Sequence, residues 1–412
     1  MIHQPPAGAR DLLPLEVAQK AWINDRLQTV FQRWGYQRIV TSTLEWLDTL
    51  VAGGAIDPAT VVQLHDVSGS RLGLRPELTA SIARAAVTRM TDGIYPQRLC
   101  YRANVFRKPP QGHPDRQMEF FQAGVELLFV GGVRADAEIL LLLADGLKHL
   151  GLDSWTLILG EAGLTQGLLA RFPQPLREQV RHCMAHLDYV QLQQLEYEDD
   201  RLKQWALQLF DLRGSTEEVF QRLEHFDLDR TCQQRLQDLK ALVQLIQTSH
   251  GALPPLILDL SWLQPFDYYT GIVFQAFGQV EGQWSVLGQG GRYDQLLHQY
   301  HPQRLSLPGI GFSFNVEELH TCLLTGPDLP KRISPTDWLV IPQGPAAEQA
   351  AFQYAQQLRK QHPQDRVEMD LGGRSPEALL AYADYAQIRQ LVWVTAQGQV
   401  EVKVLDAVTG GQ

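Results

Sequence analysis

The chain has 412 residues, of which 44% are hydrophobic and 20% charged, the balance of a folded protein with two or three domains and not of a disordered or fibrous one. Lys and Arg total 36 against 46 Asp and Glu, a formal charge of −10, which weighs weakly against a large polyanion as partner, because phosphate neutralisation dominates such affinity. The longest apolar run, Ile139–Ala144, is far short of the ~20 residues of a membrane span, so no membrane partner is expected.

Residues 15–34 carry Val17, Trp22, Ile23, Leu27, Val30 and Phe31 at helical spacing, and Gly35 ends the helix. An extended stretch over 36–47, a short strand at 72–74 and a helix over 77–88 follow. Two strands, 98–106 and 117–129, flank the Pro- and Gly-rich loop KPPQGHPD, the mark of a long hairpin. A helix over 133–150 and a strand at 155–159 lead into a Leu-, Gln- and Arg-rich region, 164–250, read as an inserted helical subdomain. Strand content returns at 256–260, 272–277 and 284–288, and GIGFSFNVEELHTCLL (309–324) reads as strand then helix. Together these predict an α+β domain over 1–325, an antiparallel sheet with flanking helices. A Pro-bearing linker, 326–336, precedes alternating strands and helices over 337–412, a small α/β domain with a mostly parallel sheet.

No phosphate loop or dinucleotide fingerprint is present, and Cys100, Cys183, Cys232 and Cys322 have no zinc spacing. Neither cofactor nor metal is expected, and the thiols fit a reducing cytoplasm.

Four segments carry chemistry. In LRPELTASIARA (74–85), Glu77 and Thr79 stand at a helix start, as caps or as a clamp for an ammonium. In YRANVFRKPPQGHPDRQMEFFQAGVE (101–126), Arg102 and Arg107 flank a strand end. Gln122 and Glu126 share one sheet face, either solvated or, with a buried Glu, partnered. In LDLSWLQPFDYYTGIVFQAF (258–277), Asp267, Tyr268 and Tyr269 precede a strand, as a packed turn or as ligand contacts. In GQGGRYDQLL (288–297) and LPGIGFSF (307–314), glycines permit close backbone approach.

Taken in order, these segments resemble the class II aminoacyl-tRNA synthetases, and within them histidyl-tRNA synthetase, over nearly the whole chain. GARDLLP (8–14), LRPELTA, VFRKPPQ…RQMEFFQAGVE, FDYYTGIVF, GGRYD and GIGFSFNVEEL carry the likeness, and the last domain resembles a shortened anticodon-binding domain. The resemblance implies that Glu77, Thr79 and Gln122 hold the amino group of histidine, with Arg107 and Tyr268 at the same site. It implies that Glu126 and Tyr269 meet the imidazole, as charge-assisted bonds favour.

The catalytic parts depart from that pattern. The motif 2 Glu is replaced by Pro109, the motif 3 Arg by Glu318, the Arg preceding the histidine segment by Gln264, and the motif 1 Pro by Ser42. Losing one well-aimed transition-state donor costs on the order of 3 kcal/mol, so these losses predict no aminoacylation. A complete histidine site without ATP chemistry is similar to the regulatory subunits of short-form ATP phosphoribosyltransferase. That likeness implies a short catalytic subunit as partner, L-histidine as feedback effector, self-association, and no tRNA. A divergent active histidyl-tRNA synthetase is the alternative.

Overall fold

The computed structural model describes residues 3, 5–54, 56–90, 95–108, 117–249, 255–261, 269–280, 282–372 and 374–405. The chain forms two compact units, Met1–Pro330 and Lys331–Gln412.

The first unit opens with α1 (Pro14–Arg33). Its proline stands in the first turn, where a missing N–H costs nothing, and Gly35 follows its end at φ +84°. Then come β1 (Gln37–Arg38), β2 (Leu44–Trp46), α2 (Leu47–Val51), β3 (Val62–His65) and β4 (Arg71–Leu74). α3 (Thr79–Arg89) precedes the long pair β5 (Gln97–Phe106) and β6 (Glu119–Leu128). After α4 (Val133–His149) and β7 (Trp155–Glu161) come α5 (Ala162–Leu169), α6 (Leu176–Ala185), α7 (Tyr189–Gln194) and α8 (Asp200–Phe210). β8 (Arg213–Gly214), α9 (Thr216–Leu223) and α10 (Arg230–Ser249) complete that helical region. The unit closes with β9 (Leu256–Asp259), β10 (Ile272–Val280), β11 (Gln283–Arg292), α11 (Leu296–Tyr300), β12 (Gly309–Asn315) and α12 (Val316–Leu323).

The main sheet runs β1-β5-β6-β12-β11-β10-β7-β9-β8 among the described residues. From β5 to β7 every neighbour is antiparallel, and only the pairs β1–β5 and β7–β9 are parallel. The two faces of this sheet differ in kind. One is covered by α1 and α4, whose Ile23, Leu27, Leu143 and Leu147 pack with Val125, Leu127, Phe312 and Phe314 of the sheet. The other carries α3 and α11, with Ile82, Ala86 and Leu297 against Leu99, Tyr101 and Leu128. Strand alternation therefore puts Val125 in an apolar core and its neighbour Glu126 on the face beneath α3.

Sequence and structure differ at several points in this unit. α3 begins two residues later than the pattern predicts, because the Glu77 carboxylate accepts the Thr79 and Ala80 N–H groups and so caps the helix from outside it. β11 reaches Arg292, beyond the predicted end at 288; its glycine run hides its strand character. β8, inside the helical region, pairs with β9.

The second unit has strand order β14-β13-β15-β16, made from β13 (Trp338–Pro342), β14 (Val367–Met369), β15 (Gln390–Val394) and β16 (Val400–Val404). The first three are parallel and β16 is antiparallel to β15. α13 (Glu348–Gln361) covers one face through Ala351, Ala355 and Leu358, and α14 (Pro376–Tyr385) the other through Leu379 and Ala383.

Candidate functional site

Two cross-strand rows make the floor of a pocket on the α3 side of the main sheet. One row is Glu126, Gly311 and Gly291, and the next is Gly124, Ser313 and Gln289. The glycines are what hollow it. A Cβ on Gly311 would lie 1.9 Å from a carboxylate oxygen of Glu126, and one on Gly291 would lie 2.7 Å from the ring of Tyr269. Both side chains occupy space that any larger residue would fill.

Glu77, Thr79, Arg107, Gln122, Glu126 and Tyr269 line this one pocket. Tyr268, Gln264 and Pro109 lie outside the described residues. Gln122 and Glu126 are 5% and 1% exposed, so their face of the sheet is buried, not solvated. Tyr269 is 8% exposed. Thr79, at the start of α3, donates its hydroxyl to Glu126 Oε1 at 2.8 Å. Glu77 is thus both a helix cap and a pocket wall. Arg107, just past β5, donates Nε to the Pro76 carbonyl at 2.8 Å, and its guanidinium lies 5.3 Å from the centre of the Phe120 ring. Arg102 pairs with Asp25 at 3.6 Å and does not line the pocket.

Sequence reasoning missed Tyr293, the tyrosine of GGRYD, which donates its hydroxyl to the second oxygen of Glu126. It also missed Tyr101, Gln289 and Ser313 on the walls. Strand parity within β11 and β12 was the available signal for Gln289 and Ser313, and it becomes usable only once the register is known.

The electrostatics favour a cationic guest. Burial pushes the Glu126 carboxyl up from 4.5 to about 8, against the lowering effect of its bonds from Tyr293 and Thr79. Burial also raises Glu77, although backbone N–H groups and the nearby Arg107 oppose the shift. No ion pair to Glu126 exists among the described residues. These two buried carboxyls, Glu126 with no ion pair among the described residues and Glu77 with Arg107 nearby, are placed to meet N–H donors from a ligand.

The pocket opens into a cleft of about 1360 Å³, with Glu77, Arg107, Gln122, Gln289 and Ser313 on the shared wall. The cleft's far side is an ion cluster. Glu317 pairs with Lys20 and, at 3.1 Å, with Arg10. Glu16 holds Arg10 at 2.5 Å and Lys20 at 3.2 Å. Glu318 also lines the cleft. Glu16 and Glu317 are thus both engaged by Arg10 and Lys20.

Beneath the pocket, Arg292 is buried and donates Nε and Nη2 to Asp136 at 2.9 and 2.5 Å, while its Nη1 meets Asp294 at 3.1 Å. This pair ties the end of β11 to the first turn of α4.

Comparison with known proteins matches these elements. The sequence model of the family described as histidyl-tRNA synthetase fits residues 8–319. A protein of Synechocystis sp. named ATP phosphoribosyltransferase regulatory subunit is 64% identical over 98% of this chain and 100% of its own. One of the same name from Rippkaea orientalis is 60% identical over 98% and 100%. Among solved structures, an ATP phosphoribosyltransferase regulatory subunit/histidyl-tRNA synthetase from Bacillus halodurans superposes with a TM-score of 0.82 at 26% identity, covering 96% of this chain and 99% of that one. Histidyl-tRNA synthetase from Nostoc sp. shares the fold, with a TM-score of 0.75 at 17% identity over 98% and 97%. The fold is therefore that of the class II aminoacyl-tRNA synthetases.

Proposed function

The chain belongs to the histidyl-tRNA synthetase family, and from that premise we propose that it is a non-catalytic regulatory subunit of ATP phosphoribosyltransferase. In this reading it serves the first step of histidine biosynthesis and its feedback inhibition by histidine. Full-length relatives at 60–64% identity carry that name, which supports a regulatory role.

The observation that carries the histidine part is Glu126. It is a buried carboxyl held by two hydroxyls, one of them Thr79's, with no ion pair to it among the described residues, in a pocket whose mouth bears Glu77 and Gln122. Free histidine offers an ammonium for the mouth and a ring N–H for Glu126, and Tyr269 lines the same pocket. Arg107 serves the ligand carboxylate. Tyr268 belongs to the same set by resemblance.

The losses in the catalytic shell support the absence of aminoacylation. Glu318 stands where the family has a phosphate-binding Arg, and Pro109 and Gln264 replace two further groups. We read the second unit as a shortened anticodon-binding domain without a tRNA partner. No helix among the described residues is long and apolar enough to cross a membrane, and we place the protein in the cytoplasm.

The partner is a short catalytic subunit of ATP phosphoribosyltransferase, in an assembly that includes self-association of this chain. Feedback requires that histidine bind the inhibited state of that assembly better than the active one. The test is co-purification of the two chains, followed by phosphoribosyl-transfer assays with and without this chain and histidine. A catalytic subunit that neither associates nor becomes histidine-sensitive overturns the proposal.

A further inference from the structure

We propose that Arg235 is a positioning residue for the pocket lined by Glu77, Thr79, Gln122, Glu126 and Tyr269, here called the cage, setting Tyr269 through the backbone of Thr270 and tying the cage to the helical region between β7 and β9. The inference rests on the reading above, in which the cage takes histidine, but its geometry stands apart from any ligand.

Arg235 lies on α10 and donates Nη1 twice, to Glu161 Oε1 at 2.8 Å and to the Thr270 carbonyl at 3.0 Å. Thr270 directly follows Tyr269. Its N–H donates to the Arg292 carbonyl at 2.8 Å, and its hydroxyl accepts the Asp294 N–H at 2.9 Å. Thr270, the residue after the tyrosine, is therefore gripped on both of its flanking peptide units, its N–H by the end of β11 within the sheet and its carbonyl by α10 from outside it. A tie between α10 and β7 needs only the Glu161 contact. The second bond reaches the segment that carries Tyr269.

The seat for this arginine is built by absent side chains. On α5, Gly163 and Gly167 stand one turn apart, facing α10. A Cβ at Gly163 would fall 2.3 Å from the guanidinium carbon of Arg235, and one at Gly167 would fall 2.3 Å from Cys232 Sγ. α10 consequently lies close on α5 along these two positions. Glu161, the shared acceptor, is buried, and its other oxygen caps α5 at Leu164. One guanidinium thus joins the end of β7, the start of α5 and the cage segment.

This arrangement gives a physical route by which occupancy of the cage and the seating of the helical region bias each other. A ligand that fixes Tyr269 fixes Thr270, and Thr270 favours the seated position of Arg235. Linkage makes the effect reciprocal.

The test uses the full chain with Arg235→Ala and Arg235→Lys. Amide hydrogen exchange is followed at Thr270 and Asp294, and histidine binding by calorimetry. In the alanine variant these two amides exchange about tenfold faster, and histidine binds about tenfold more weakly, equivalent to ~1.4 kcal/mol. The lysine variant keeps a cation against Glu161 and recovers part of both effects. If the alanine variant does not fold, the lysine variant alone still shows faster exchange at Thr270. Unchanged exchange at Thr270 and Asp294 overturns the proposal, as does faster exchange with unaltered histidine affinity. A parent protein that binds no histidine sinks the histidine reading instead, and exchange at Thr270 then decides the positioning by itself.

Discussion

Gly311 stands directly opposite Glu126 across the β12–β6 pair, and the space its missing side chain leaves is where the Glu126 carboxylate lies. One residue supplies the charge and the other the room for it. Restoring a single methyl group at 311 separates the two contributions.

Gly311→Ala places a Cβ 1.9 Å from Glu126 Oε2 and 2.4 Å from the Val125 carbonyl oxygen. The carboxylate can swing away, but the backbone atom cannot. The expected cost is about 1–3 kcal/mol of stability, the range for overpacking, together with loss of histidine binding. Denaturant midpoints and calorimetry measure the two. A variant with the parent's stability and affinity would show that the cage is laid out differently.

Glu126→Ala removes a charge-assisted contact to the ligand. Such a contact contributes roughly 1.5–3 kcal/mol, so histidine affinity drops about 10- to 150-fold. The variant also relieves a buried carboxyl, so its thermal midpoint does not fall in step with its affinity. Titration calorimetry on the folded variant decides this, and undiminished affinity would move the sensor elsewhere.

The unliganded protein loses stability as pH rises from about 4.5 to about 8. Glu126 keeps its proton in the folded chain up to about 8, whereas the unfolded chain releases it near the ordinary value of 4.5. Across that window the folded state binds more protons, so unfolding becomes easier with rising pH. Asp136, raised by burial from 3.8 to about 6, acts in the same direction at the lower end. Every tenfold difference in proton affinity between the folded and unfolded chain corresponds to about 1.4 kcal/mol. Glu126→Gln, neutral throughout, flattens the slope and exceeds the parent in stability at pH 8 while matching it near pH 4. Urea titrations across the range test this, and a parent whose stability climbs from pH 5 to 8 contradicts it.

Histidine-dependent ATP–pyrophosphate exchange is expected to be absent. The cleft wall carries Glu317 and Glu318, and Glu317 already engages Lys20 and Arg10. Turnover at an enzyme's ordinary pace, about 1 per second or faster, would mean that other groups replace the missing arginines.

Much of the first unit was legible in the sequence because its signals are local. The apolar period of α1, the Gly35 stop and the antiparallel pairing of β5 with β6 across a Pro- and Gly-rich segment, itself outside the described residues, need no tertiary knowledge. Glu77 with Thr79, and Gln122 with Glu126, could be paired from one helix start and one strand face, but only the resemblance to histidyl-tRNA synthetase joined the two pairs into one site. Tyr293 could not, since it meets Glu126 from 167 residues away, a distance that only strand register closes. Gly311 and Gly291 were visible as glycines, but what they make room for depends on which strands flank them. The start of α3 was misplaced because Glu77 serves the helix without belonging to it.

The order of the strands also has a temporal consequence. β6 finds its partner β12 only after nearly two hundred intervening residues, and pairings so distant in sequence form late and slowly. The cage draws on Glu126 at one end of this span and on Ser313 at the other. A chain emerging from the ribosome therefore lacks the complete pocket until β12 has left the exit tunnel and docked. Under the proposed function, responsiveness to histidine depends on completion of the first unit, and a polypeptide broken off before residue 309 lacks the Gly311 and Ser313 side of the pocket.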